Sequence, residues 1–359
     1  MKIALVFDPI TQNGGAEKLL WSLAENLPIS SIYTAAVNPE IISGKFLSKI
    51  KTSWLQNFPL VYKNPKPYLP LFPIVYESFD LASYDCVISM TTLFAKAVIT
   101  QPHTLHVGYI NSPPRFLYSK KNLEKYINSQ LLNSTLNPFF NWLKKYDQIA
   151  IRRPDILIAN SNNIKKKILD IYGIDSQVVY PFADDYYFSY QSKPKLPDNF
   201  VVVSRLEKWK SIDYVIETFN RLPEKKLTVI GIGSDSNRLK QKSLPNITFT
   251  GWVDSDSVAK TISTAQALIM PQDEDFGITS VEAQALRTPV IAFGQGGAVE
   301  TVLDGKTGIL FPSQTVDSLT EAIKSLPQKK FNSDKLYKNA LKYREKDFIQ
   351  NISKLIYGK

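Results

Sequence analysis

The sequence predicts an α/β protein of two doubly wound domains, each a parallel sheet covered by helices on both faces. Three observations carry that expectation. The chain has 359 residues, and at ~100–200 residues per domain this makes two. Short apolar runs alternate with runs of helical period along most of the chain, which is the grammar of βαβ units. That grammar lapses once, in "YPFADDYYFSYQSKPKLPDN", where Pro, Asp and Asn collect. The first domain is therefore set at residues 1–180, and the second begins at 181.

The elements follow in order. "KIALVF" reads as a buried strand, and "GGAEKLLWSLAENL" as a helix with Leu19, Leu20, Leu23 and Leu27 on one face. "SSIYTAAV" reads as the next strand. The Pro- and aromatic-rich stretch "NFPLVYKNPKPYLPLFPIVYESF" fits neither a central strand nor a long helix interior. "YDCVISM", "TLHVGYI" and "PDILIANS" are further strands, and "NIKKKILDIYG" is a helix ending at Gly173. In the second half, "NFVVVSRL", "KKLTVIGIG", "NITFTGWV", "QALIMP", "PVIAFG" and "GILFP" read as strands. "SIDYVIETFNRL", "SNRLKQKSL", "SDSVAKTISTA" and "ITSVEAQAL" are the helices between them. The tail "DKLYKNALKYREKDFIQNISKLI" is helical.

Composition narrows the function classes. The hydrophobic share of 44% suits a soluble globular protein. The formal charge of +10 favours anionic partners. No nucleic-acid reader motif accompanies it, and "NIKKKIL" has the spacing of a solvated helix face, so nucleic acid is not expected as a partner. The single cysteine, Cys86, lies in an apolar run and reads as core in a reducing compartment. No apolar run approaches the ~18 residues of a membrane span, and "MKIALVFDPI" is broken too early by Asp8-Pro9 for a signal peptide. A cytoplasmic location is the expectation.

In open parallel sheets ligands bind at the carboxyl ends of strands, so the loops after strands are the places to search. Gly14 and Gly15 follow the first strand and open a helix whose first N–H groups suit an anion. The second domain's first strand is followed by "SRLEKWK". There Arg205 offers a planar fork and Lys210 a point charge to a diphosphate. Gly231 and Gly233 follow the next strand and allow close backbone approach, without the Gly-Lys-Ser/Thr of a P-loop. After "ALIMP" comes an acidic cluster in a basic chain, Asp273, Glu274 and Asp275, with Glu282 one or two turns into the following helix. Carboxylates accept hydrogen bonds from sugar or ribose hydroxyls, and the amides of Gly277, Ile278 and Thr279 at a helix start suit phosphate. Gly294, Gly296 and Gly297 make another turn after the next strand.

The set "SRLEKWK", "EDFGITSVEAQAL" and "TPVIAFGQGGAVETVLDGKTGILF" resembles the retaining GT-B glycosyltransferases of family 4. So do "VFDPITQNGGAEKLL", "YINSPPRFLY" and "LKKYDQIAIRRPDILIANSNNIKKKI" in the first half. The resemblance covers nearly the whole chain and is nearest in form to the mannosyltransferase-like subgroup of bacterial surface polysaccharide assembly. It implies two facing Rossmann-like domains with a cleft between them, a second domain of 181–339, and a C-terminal helix, 340–359, that packs back on the first domain. The two glutamates that the family separates by seven residues fall on Glu274 and Glu282. Arg205 and Lys210 would bind the donor diphosphate, and Glu282 the ribose. Glu274, with the amides near Phe276 and Gly277, would hold the transferred sugar. Ile278 and Thr279 would lie near the phosphates, and Gly14 and Gly15 would meet donor and acceptor. The donor would be GDP-mannose or a UDP-sugar and the acceptor a glycan or polyprenyl-linked glycan. No cofactor and no metal are implied.

One departure concerns activity. Family members often carry histidine at the position of Asn111, and another near Leu93. Asn111 can donate and accept hydrogen bonds but cannot carry a proton. His103 and His106, the chain's two histidines, lie before and within a strand. Transfer with retention in the family needs no protein nucleophile: a donor phosphate oxygen takes the acceptor proton on the same face of the sugar. The protein supplies position and charge stabilisation. The alternatives are a nucleotide-sugar-binding protein with weak or no turnover, a GT-B-fold epimerase, a hydrolase using Glu274 and Glu282, and a metal site at Asp273 and Asp275. Phe139, Phe140, Trp142, Lys144 and Lys145 in "NPFFNWLKKYD" are compatible with contact to an anionic membrane, or with domain core.

Overall fold

The computed structural model describes residues 1–42, 44–118 and 130–358. It divides into two compact units, Met1–Tyr180 with Ile349–Lys359, and Pro181–Phe348.

The first unit is built on a seven-stranded sheet in the order β3-β2-β1-β4-β5-β6-β7, with every pair parallel. The strands are β1 Ile3–Phe7, β2 Ile29–Thr34, β3 Ile50–Thr52, β4 Cys86–Thr91, β5 Leu105–Ile110, β6 Ile156–Ala159 and β7 Gln177–Val178. β1 and β4 are buried along their whole length, which suits apolar strands covered on both faces. β3 is a three-residue edge strand that sequence periodicity did not indicate, since "IKT" is short and exposed at two of three positions. The helix Gly15–Asn26 buries Leu19, Leu20 and Leu23 as its spacing requires. The Pro- and aromatic-rich stretch forms a 3-10 turn, Lys66–Leu71, and a short helix, Phe72–Glu77, whose Phe72 and Tyr76 enter the core. Phe139 and Phe140, in the helix Gln130–Ala150, pack partly buried against the same core, while Trp142 stays exposed.

The second unit has six parallel strands in the order β10-β9-β8-β11-β12-β13. They are β8 Asn199–Val203, β9 Lys226–Ile230, β10 Ile247–Gly251, β11 Ala267–Met270, β12 Val290–Phe293 and β13 Gly308–Phe311. In each unit the strand order reverses once, between β1 and β4 and between β8 and β11. At these points helices leave toward opposite faces and open a crevice at the carboxyl edge.

The tail is two helices, Ser333–Ala340 and Glu345–Tyr357, separated by a turn at Leu341–Tyr343. Tyr343 packs edge-on against Phe276 and Phe348 against Phe182, with centroids 5.3 and 5.4 Å apart. These aromatic contacts hold residues up to Phe348 to the second unit. The first unit's share of the tail therefore begins at Ile349, later than the 340 set from sequence. Residue 359, the last of that tail, lies outside the described residues. Among the described residues no helix is long and apolar enough to cross a membrane.

Candidate functional site

At the switch point of the second sheet the loops after β8 and β11 meet. Beyond β8 the chain runs through Arg205 into a 3-10 turn, Lys208–Lys210, and leaves it at Ser211 in the left-handed region, φ 54°. Trp209 has two cations near its ring: the Arg205 guanidinium is 5.5 Å and the Lys210 ammonium 4.2 Å from its centroid. Such placement attracts a cation to the ring face and steadies long side chains. Lys210 is buried and Arg205 exposed.

The acidic loop meets this turn directly. The Lys210 ammonium contacts Glu274 Oε1, and the Gln272 side-chain amide donates to the same oxygen at 2.7 Å. Burial pushes the Glu274 carboxyl up, but Lys210 and Gln272 outweigh it, and the group stays below its ordinary value. Pro271 anchors the loop, its carbonyl accepting from Tyr214 Oη at 2.6 Å and Gln314 Nε2 at 2.8 Å. Gly277, at φ 89°, turns the chain into the helix Ile278–Ala285, whose first amides belong to Ile278 and Thr279. Phe276 is buried against Tyr343. Glu282, one turn further, is buried beside Tyr187, whose hydroxyl is held well above its ordinary value by burial and then by Glu282.

The glycines shape these loops by what they touch. A Cβ on Gly233 would stand 2.3 Å from the Leu206 carbonyl oxygen, and one on Gly231 1.9 Å from that of Ser204. The turn after β9 thus lies flat on the Arg205 loop, and the close approach read from sequence is to the chain's own backbone. Gly296 and Gly297 do the same for the acidic loop: Gly297 N donates to Glu274 O at 2.7 Å, and a Cβ on Gly297 would meet Phe276 Cα at 2.3 Å. Asp273 and Asp275 belong to this packed loop. Among the described residues no group of three or more His, Cys, Asp or Glu is gathered as a metal site.

The first unit has its own switch point, and its centre is a residue that sequence reading treated as punctuation. Asp8, directly after β1, is buried and accepts from Thr91 Oγ1, Thr92 N and Oγ1, Leu93 N, Phe94 N and Ala95 N, at 2.6–3.2 Å. It fixes the loop after β4. The rule of searching after each strand, applied to β1, would have found it. Gly14 N donates to Glu17 Oε2 at 2.9 Å at the start of the helix Gly15–Asn26. Asn111 follows β5, with its carbonyl taking Asn160 Nδ2 at 2.9 Å; it is buried, and its own Nδ2 has no hydrogen-bond partner. His106 is fully buried, bonded to Ser89 at 2.8 Å and lowered by burial to about 4, so it is a neutral core residue.

The structure thus joins Lys210, Glu274 and Gln272 in one cluster, with Arg205 sharing the Trp209 ring with Lys210. It places Phe276, Gly277, Ile278, Thr279 and Glu282 along the adjoining loop and helix, and Gly231 and Gly233 behind Arg205. Gly14, Gly15 and Asn111 lie at strand ends of the first unit. Trp209, Gln272 and Asp8 were not picked out from sequence.

Comparison with known proteins bears on the fold and on the second unit. Residues 188–344 match the family model described as glycosyl transferases group 1. An uncharacterized 41.2 kDa protein in the cps region of Klebsiella pneumoniae is 26% identical over 269 residues, 68% of this chain and 74% of that one. The structure resembles the apo form of the lipopolysaccharide outer core galactosyltransferase WaaB, with a TM-score of 0.69 at 19% identity, over 100% of this chain and 99% of that one. It also resembles Anabaena Alr3699/HepE in complex with UDP-glucose, with a TM-score of 0.69 at 16% identity over 100% of both chains. The fold is GT-B, two parallel-sheet α/β domains. The family model covers residues 188–344, within the second unit, and the solved neighbours, at 19% and 16% identity, show the fold.

Proposed function

We propose that this chain is a retaining, metal-independent hexosyltransferase that draws its sugar from a nucleoside diphosphate donor. The observation that carries the reading is the Lys210–Glu274 pair at the β8/β11 switch point. It sets a cation for phosphate beside a carboxylate for sugar hydroxyls, with a helix N-terminus in the same loop. Arg205 and Lys210 neutralise the leaving diphosphate, with the amides of Ile278 and Thr279 adding helix-end dipole. Glu274 orients the hexose and Glu282 the ribose. The acceptor proton passes to a donor phosphate oxygen as the glycosidic bond breaks, so no protein base is needed.

GDP-mannose is the first candidate donor, from the subgroup resemblance. A UDP-sugar is the second, supported by the relative solved with UDP-glucose. The acceptor is a glycan or a polyprenyl-linked glycan at the inner face of the cell membrane. The exposed Trp54, Phe58, Ile74 and Trp142 of the first unit, with Lys144 and Lys145 beside Trp142, support contact with an anionic bilayer. Asn111 favours a second reading, donor binding with little turnover, since an amide stands where the family often has a proton-carrying imidazole. A thermal-shift screen of GDP-, UDP- and ADP-sugars, followed by a product assay in EDTA, separates the two. Transfer in EDTA with the anomeric configuration kept supports the enzyme, and binding without product supports the second reading. A Glu282→Ala chain should bind the best donor at least ~10-fold more weakly; unchanged affinity would remove the ribose from Glu282.

A further inference from the structure

Two of the groups that contact the Glu274 carboxylate differ in kind. Lys210 is a cation on the loop after β8, and the donor's diphosphate competes for it. Gln272 belongs to the acidic loop itself. Its residue is 3% exposed, its Nε2 donates to Glu274 Oε1 at 2.7 Å, and its Oε1 has no hydrogen-bond partner. The residue before it is clamped by Tyr214 and Gln314. A buried amide with its carbonyl unsatisfied is unfavourable for folding alone. Here the orientation that leaves Oε1 unpaired is the one that points N–H at Glu274.

When a diphosphate takes Lys210, two anions compete for one ammonium. Glu274 then loses the share of its charge compensation that Lys210 supplied in a partly buried site, with Asp275 opposing it as a like charge. We propose that Gln272 is a positioning residue: its amide holds the Glu274 carboxylate toward a hydroxyl of the transferred sugar while the donor diphosphate engages Lys210. This rests on the roles given to Lys210 and Glu274 above. It makes recognition of sugar and of phosphate cooperative, because the hydroxyl replaces the donor that Lys210 withdraws. A nucleoside diphosphate without its sugar leaves that place empty, so the intact donor is preferred over the diphosphate.

The test is calorimetry on the full chain with GDP-mannose, UDP-glucose, GDP and UDP, from pH 5 to 8. The quantity read is the Kd of the diphosphate divided by the Kd of the matching nucleotide-sugar, which general destabilisation does not move. Gln272→Met keeps the length and removes the amide; the ratio should fall about 10-fold. Gln272→Glu places a second carboxyl against Glu274. Its ratio should be lost at pH 8 and return toward pH 5, where one proton shared by the pair restores a donor. Ratios at the unaltered chain's value in both variants, at every pH, would overturn the proposal. Lys210→Met is the control for the underlying reading. If it leaves binding of both ligands intact, or if none of the four ligands binds the unaltered chain, the site assignment fails and this proposal with it. If it weakens both while the Gln272 variants behave as the unaltered chain, only the Gln272 proposal fails.

Discussion

Replacing Asp147 with leucine should strand a charge in the middle of the first unit. Asp147 is 0% exposed; its Oδ1 stands 2.6 Å from the ammonium of Lys96, which is itself 1% exposed. Its Oδ2 accepts from Tyr118 Oη at 2.8 Å and Tyr172 Oη at 2.7 Å. In Asp147→Leu, Lys96 keeps the Leu93 carbonyl at 2.6 Å as a partner but has lost its counter-ion. Breaking a buried pair this way costs ~3–5 kcal/mol. For a unit of roughly 190 residues each kcal/mol moves Tm by ~2–4 °C, so Tm should fall by ~6–20 °C. Lys96→Met in the same chain removes the stranded ammonium and should return part of the loss, a coupling of ~3 kcal/mol between the positions. Differential scanning calorimetry of both single variants and the double variant measures it. A Tm for Asp147→Leu within ~3 °C of the unaltered chain, or a double variant no better than that single, would refute the reasoning. Lys96 directly follows the loop that Asp8 holds, so the same change should loosen that loop.

Three further predictions concern other parts of the molecule. Gly297→Ala drives a methyl into the Phe276 backbone; the overpacking, ~1–3 kcal/mol, should displace the acidic loop and weaken donor binding by an order of magnitude or more, read as a Kd. His106 binds its proton only near pH 4 when folded and near 6.5 when unfolded, so its contribution is whole above 6.5 and is lost as pH falls toward 4. That amounts to ~2 kcal/mol between pH 7 and 5. Urea unfolding at the two pH values should show this drop in the natural chain and lack it in His106→Gln. Cys86 is fully buried, and burial, with Asp85 adding to it, raises its thiol to about 12. It should resist an aromatic disulfide reagent in native buffer and react once in unfolding urea; rapid native labelling would place it at the surface.

Much of the architecture was local information. Apolar runs such as "KIALVF" and "NFVVVSRL" commit themselves to strands by length and β-branching, and "GGAEKLLWSLAENL" to a helix by its period. Alternation of the two makes parallel sheets, and parallel sheets place ligands at strand ends. The loops holding Arg205, Lys210 and Glu274, and the helix that carries Glu282, could therefore be found from the sequence alone. Only the tertiary structure decided what those loops do to one another. Lys210 meets Glu274 across 64 residues, and Asp8 meets Thr92 across 84. Gly233 lying on Leu206 is another contact between different strand ends. The physical reason is strand order: β11 lies beside β8, and β4 beside β1, because long-range packing selected those neighbours. A periodicity of two or of 3.6 residues records which face of an element is buried, but not which element will lie next to it.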